Sequence, residues 1–244
     1  MKQLKSSSAL KADAREILLG KYKTAVLAYV LMEVIVSGVL TLIELQINLQ
    51  STGGMLIYYA AYFIIVLLST VFIVGQNHLY LNIYRGEKIE AGNIWVGFRT
   101  CADRAILVYL AIFGKTFLCG IPLIISVALT AMTRNYYFAL LIAASAIFML
   151  IKGTLISLDY SQALYLILDY PEYSVGRLLS ESKSLMKGHR GSYFYLLVSF
   201  IGIFFLSIMT FGIATLWIYP YFTATKTGYY LELVGMRNEI VAEE

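Results

Sequence analysis

The 244-residue chain is 59% hydrophobic and only 14% charged, with a mean hydropathy of +0.74. Soluble domains carry about 25% charged residues, so this composition excludes a water-soluble globule. With only three prolines and no long Gly/Ser-rich or Pro-rich stretch to divide it, the chain reads as a single integral membrane domain over residues 1–244. Its net charge of +4 is spread over many loops and gives no surface for nucleic acid.

In chain order, Met1 to Lys23 is basic, and its segment at about 7–21 is amphipathic. Leu10, Ala14, Ile17 and Leu18 fall on one helical face ahead of Gly20-Lys21. The hydrocarbon core of a bilayer is about 30 Å thick, so a spanning helix needs about 20 apolar residues. The first such run, Thr24 to Glu44, has no small-residue cleavage site and reads as a retained span rather than a signal peptide. Met55 to Gln76 is the second. A short amphipathic segment at about 90–103 follows, with Ile94, Trp95 and Phe98 ahead of Arg99 and Arg104. Spans three and four are Ala105 to Met132 and Tyr136 to Leu158. The third amphipathic segment, about 174–190, sets Val175, Leu178, Leu179, Ser182, Leu185 and Met186 on one face before Lys187-Gly188-His189-Arg190. Tyr193 to Phe222 then carries no charge. A tight turn near Gly212 divides it into Tyr193 to Phe211 and Ile213 to Leu231, whereas one long helix with a re-entrant segment would leave five spans. Near-continuous hydrophobicity without period-two alternation makes the spans helices. The predicted fold is an all-α polytopic transmembrane bundle of six spans with cytoplasmic amphipathic helices.

Lys/Arg asymmetry orients it. The N-terminal segment, the connection carrying Arg85, Lys88, Arg99 and Arg104, and that carrying Arg177, Lys183, Lys187 and Arg190 are basic. The alternate connections hold only Arg134. Both termini are therefore expected in the cytoplasm, in a multi-pass protein of the cell membrane.

A three-unit pseudo-repeat is also predicted, each unit being an amphipathic segment, a basic junction and two spans. Each hairpin returns through a polar residue followed by tyrosine: Gln76 and Tyr80, Gln162 and Tyr165, Thr225 and Tyr229. The amphipathic segments either lie in the interface, basic faces toward anionic head groups, or pack onto the inner ends of the spans.

Ionisable groups inside spans are costly, about 2.5 to 3.5 kcal/mol near the bilayer centre. Glu33 and Lys115 are placed about 14 and 15 Å deep by the helical rise, at a level where they could pair. Pro122 removes a backbone donor and should free the carbonyl of Leu118, which makes span three the candidate for a kinked, discontinuous helix beside a cavity. Lys152 lies where a long side chain snorkels to water, with Asp159 seven residues on. The set Glu33, Lys115, Pro122, Lys152 and Asp159 is thus either a midplane site or packing and anchoring chemistry.

No catalytic motif is present. The two histidines, His78 and His189, have no carboxylate or cysteine at metal-ligand spacing, and Cys101 and Cys119 form no CxxC. There is no phosphate loop, zinc-protease motif or GxSxG elbow. No enzyme activity, cofactor or metal is expected. Lys187, His189 and Arg190 could hold a lipid phosphate but offer no nucleophile. Tyrosines near the span ends read as aromatic belts.

Ser182-Lys183 with Leu185-Met186-Lys187-Gly188-His189, then Ser199-Phe200-Ile201-Gly202, Thr210, Gly212-Ile213, Leu216-Trp217, Pro220-Tyr221 and Tyr229-Tyr230 resemble the signature of a bacterial integral membrane family. It is the one catalogued as domain of unknown function 975, found mainly in Gram-positive bacteria. Leu10-Lys11 through Ala14-Arg15 to Leu18 and Gly20 resembles its opening. Where that signature has tryptophan after the glycine, this chain has Ile203. The resemblance implies a bacterial cytoplasmic-membrane protein and supplies no catalytic residues. The expected role is a non-enzymatic membrane interaction or assembly component, binding partner proteins, a second copy of itself or anionic lipid through the segments around Ile17 and Met186. The alternative is a small-solute transporter or channel with a Glu33/Lys115 site.

Overall fold

The computed structural model describes residues 4–133 and 138–243. Lys2, Arg134 and the start of the fourth span at Tyr136 lie outside the described residues. The elements are α1 (Ser7–Leu18), α2 (Tyr22–Gln46), α3 (Thr52–Arg85), a 3-10 turn (Ala91–Trp95), α4 (Val96–Thr100), α5 (Ala102–Thr133), α6 (Phe138–Asp159), α7 (Ala163–Asp169), α8 (Val175–Met186), α9 (Arg190–Val198), α10 (Ile201–Met209) and α11 (Thr215–Glu243). Among the described residues there is no strand. α2, α3, α5, the α6–α7 run and the α9–α10 run are long and apolar enough to cross a membrane. The molecule is a polytopic helical membrane bundle.

The repeat is visible first in local geometry. Ser6 caps α1 by accepting from the Ala9 N–H, and Ser174 caps α8 by accepting from the Arg177 N–H, each filling one orphan donor of the first turn. Both helices end on an extended residue, Leu19 or Lys187. A glycine at positive φ follows, Gly20 at +74° and Gly188 at +84°, a conformation costly for a side chain. The next residue, Lys21 or His189, opens the outgoing helix. Units one and three therefore match residue for residue, and buried Leu10, Ala14 and Leu18 correspond to buried Leu178, Ser182 and Met186. In unit two the 3-10 turn and α4 take the place of the amphipathic helix.

The three units close into a ring. The α4 segment packs on α3, α8 packs on α7, and α1 packs on α11, so each amphipathic segment lies against the returning helix of the unit before it. Lys5 closes the last joint by pairing with Asp13 at 2.8 Å and Glu232 at 3.3 Å, which puts both chain ends at the same, basic end of the bundle. Of the two readings of the amphipathic segments, packing onto the spans is the one observed. Burying Leu10 and Leu18 or Leu178 and Met186 is worth about 1.5–3 kcal/mol per side chain, and those faces are not free to enter a lipid interface.

The core sits at this basic end, around Leu79, Tyr80, Leu81, Ile83, Ile94 and Leu166. At the opposite end Leu42, Leu45, Leu56, Met132, Leu140 and Phe211 are exposed, as suits surface facing hydrocarbon. Three sequence expectations need correction. First, α5 runs unbroken through Pro122. The helix expected to be discontinuous is therefore continuous; Ser126, one turn on, donates to the Pro122 carbonyl at 2.6 Å and shares a hydrogen bond with Ser145 of α6 at 2.9 Å. Second, the break falls instead in span five, between α9 and α10. There the Ile203 N–H bonds the Phe200 carbonyl at 3.0 Å. The Ser199 carbonyl accepts from Lys11 Nζ at 2.9 Å, with that ammonium 4.2 Å from the centre of the Phe200 ring. Third, among the described residues five helices rather than six are long and apolar enough to cross a membrane; the predicted span Ile213 to Leu231 falls in α11, which carries Lys226 and Glu232 and places Thr223, Thr225 and Thr227 in the interior. The turn expected near Gly212 is present. Phe211 and Gly212 take φ of +50° and +88°, and Phe204 then packs against Phe222 across the hairpin.

Candidate functional site

At the basic end, α8, its glycine turn and α11 enclose a cleft of about 250 Å³ lined by Ser184, Leu185, Lys187, His189, Met236 and Arg237, with Leu233 beneath. Its position follows from the local sequence. The apolar face of α8 docks, the extended Lys187 and the left-handed Gly188 reverse the chain, and His189 leads into α9. The turn is tied down from three sides. Tyr229 donates to the His189 carbonyl at 2.9 Å and its hydroxyl meets Ser192 at 2.8 Å. Ser182 donates to the Asp159 carbonyl at 2.8 Å. Arg190 pairs with the Asp159 carboxylate.

Of the three residues expected to meet a head group, Lys187 and His189 line the cleft and Arg190 does not, because Asp159 holds it. Arg237 takes its place, itself paired with Glu181. Sequence reasoning missed Arg237, since only the return of α11 brings it across to α8. The cleft offers basic donors, a chemistry suited to binding a phosphate. Where α1 packs against α9 and α11, Lys11 is partly desolvated at the α9–α10 break, and burial, with the nearby charge of Arg15, holds its ammonium below the ordinary lysine range.

The midplane set does not assemble. Glu33 and Lys115 form no ion pair: α2 and α5 lie along α3, Glu33 is exposed, and the Lys115 ammonium lies 5.5 Å from the centre of the Tyr160 ring. The physical reason is lateral, since equal depth along two helices says nothing of which neighbour each one meets. Lys152 is exposed, and Asp159 belongs to Arg190.

Instead two clusters of polar side chains, buried or half-buried except for Arg85, form between the helices. Tyr29, one turn before Glu33, stacks on Tyr219 at 4.3 Å, and Tyr219 donates to Gln76 Oε1 at 2.7 Å. Lower down, Tyr165 and Thr227 share a hydrogen bond at 3.1 Å, Tyr165 stacks on Tyr230 at 4.9 Å, and Tyr230 donates to Asp169 at 2.6 Å, which also pairs with Arg85 at 2.7 Å. The polar-plus-tyrosine pattern of the returning spans was its signal in the sequence, because Gln76, Tyr80, Gln162, Tyr165, Thr225 and Tyr229 are all buried here. Among the described residues, no group of three or more His, Cys, Asp or Glu is placed to hold a metal ion.

No curated protein and no solved structure matches the chain. A family profile described as protein of unknown function (DUF975) matches residues 1–237. That match takes in all three units of the ring, and the chain belongs to the DUF975 family.

Proposed function

We propose that this is a non-enzymatic binding component of a bacterial cytoplasmic membrane, with both termini in the cytoplasm, and that it engages anionic phospholipid head groups through the Lys187/His189/Arg237 cleft. The observation that carries this reading is the cleft itself. Lys187, His189 and the Glu181-paired Arg237, all from unit three, line a turn fixed by Tyr229, Ser182 and Asp159, at the end of the molecule where most Lys/Arg collect. A backbone already fixed at the turn lowers the ordering cost of closing it on an anion.

Hydrogen exchange in nanodiscs tests it. Adding phosphatidylglycerol to phosphatidylcholine discs is expected to protect the amides from Lys187 to Ser192, and Lys187→Gln with His189→Gln to abolish the protection. Equal exchange in both lipids would overturn the reading. Transport of a small solute is a second reading, supported by the polar cluster beside Glu33 and no longer by any Glu33/Lys115 pair. Uptake of a solute by reconstituted vesicles that is lost in Gln76→Leu would favour it.

A further inference from the structure

Glu33 and Lys115 carry opposite charges at one depth, about 14 and 15 Å from the basic end by the helical rise, and the fold keeps them apart. α2 packs against α3 and α11, whereas α5 packs against α3 and α6. Glu33 follows Tyr29 by one turn, and Tyr29 stacks on Tyr219 of α11, so Glu33 stands on the α11 side of α2. Lys115 stands on the α6 side of α5, its ammonium 5.5 Å from the centre of the Tyr160 ring just past the end of α6. The two side chains therefore leave the molecule on different faces.

Both are exposed, and among the described residues neither has an opposite charge within ion-pairing distance. Leu31 and Val34 beside Glu33, and Phe117 and Leu118 beside Lys115, are exposed in helices long and apolar enough to cross a membrane. An ionisable group among such residues is costly and is normally found paired. The neutral partners at hand are poor ones. One ring face holds an ammonium weakly, and Tyr29 offers Glu33 a single neutral hydroxyl. The hydroxyls farther along α2 are committed elsewhere, Ser37 donating to the backbone carbonyl of Glu33 and Thr41 to that of Ser37.

We infer that Glu33 of one copy pairs with Lys115 of a second copy of this chain. Charge and depth together select that partner. Copies inserted in the same orientation hold α2 and α5 parallel, both running outward from the basic end, so the carboxylate of one meets the ammonium of the next without a vertical shift. Lipid tails supply a counter-ion to neither group. Because the two residues lie on different faces, the contact is heterologous, the kind that builds rings of copies. It does not involve the Lys187 cleft and stands whether or not that cleft binds.

Disulfide trapping of the full chain in membranes tests it. Two differently tagged copies are expressed together, both with Cys101→Ser and Cys119→Ser, one with Ser37→Cys and the other with Leu118→Cys, which sets each thiol one turn beyond Glu33 or Lys115. Mild oxidation is expected to join the two tags. Glu33→Lys in the first copy alone, or Lys115→Glu in the second alone, should lower the joined product about tenfold. Expressing the two reversed copies together should restore it. Native mass spectrometry of the wild type released from nanodiscs should show oligomers that Glu33→Lys reduces to monomer. A monomeric wild type, a joined product indifferent to charge reversal, reversed copies that do not rejoin, or tags trapped only on other membrane proteins would each overturn the inference.

Discussion

The joint between units one and two depends on a backbone contact that a single methyl group would break. A Cβ placed on Gly75 of α3 would lie 2.1 Å from the Ile94 carbonyl oxygen, 2.5 Å from its carbon and 2.7 Å from its Cα. Ordinary contact begins at 3.4 Å, so Gly75→Ala must drive α3 and the 3-10 turn apart by about 1 Å, enough to forfeit a quarter to a half of the dispersion attraction across the seam. Both clashing groups are backbone and cannot rotate aside. Gly97 makes the reciprocal approach to Val71, at 2.3 Å from its oxygen, and so fixes the same spacing. Overpacking costs about 1–3 kcal/mol, and the absence of any relaxation route puts Gly75→Ala near the upper end, about 3 kcal/mol. For a chain of this size that is a fall in Tm of roughly 6–12 °C. Trp95 packs on Phe72 and Phe98 at this seam, so in a Trp217→Phe background its fluorescence reports the joint directly during thermal unfolding in detergent. Gly114→Ala is the control, since nothing lies within 4 Å of its Cβ, and helix propensity should leave it neutral or slightly stabilised. A Gly75→Ala protein as stable as the wild type, with unchanged Trp95 emission, would refute the argument.

Other expectations follow from single contacts. Lys11→Met leaves the Ser199 carbonyl at the α9–α10 break without its donor, a loss of about 1–2 kcal/mol for a half-exposed charged hydrogen bond. Amide exchange at Ile203 and Phe204 should rise about tenfold with no change in Tm at the α3 seam, and unchanged exchange would remove Lys11 from that role. Arg190→Gln strands the mostly buried Asp159 carboxylate. Discounted for the exposure of Arg190, this costs about 2 kcal/mol, and Asp159→Asn should recover part of it, whereas strict additivity in that cycle would mean the pair is not coupled. Zero-length carbodiimide coupling should join Lys5 to Glu232, which are 3.3 Å apart. If mass spectrometry finds Lys5 joined to Asp13 and never to Glu232, the α1–α11 closure of the ring is wrong.

Much of the architecture was legible because the bilayer imposes it. Apolar runs of fixed length, Lys/Arg at alternate connections and a turn at Gly212 place the hairpins without tertiary information, and the Ser-capped, glycine-terminated segments at Ser6–Gly20 and Ser174–Gly188 carry the repeat in plain local chemistry. The sequence placed a sixth span over Ile213 to Leu231, in what is α11, although the polar residues that α11 turns inward lower its hydropathy. What the sequence could not specify was lateral neighbourhood. Depth along a helix follows from counting residues, and it placed Glu33 and Lys115 level with each other. Which helix lies beside which is set by packing between units, and that put both α2 and α5 along α3. It also gave Asp159 to Arg190, brought Arg237 into the Lys187 cleft and carried the break from Pro122 to Ser199. Helix α5 continues through Pro122, where Ser126 meets Ser145 of α6, while Lys11, arriving from the far end of the chain, supplies the donor for the Ser199 carbonyl at the α9–α10 break.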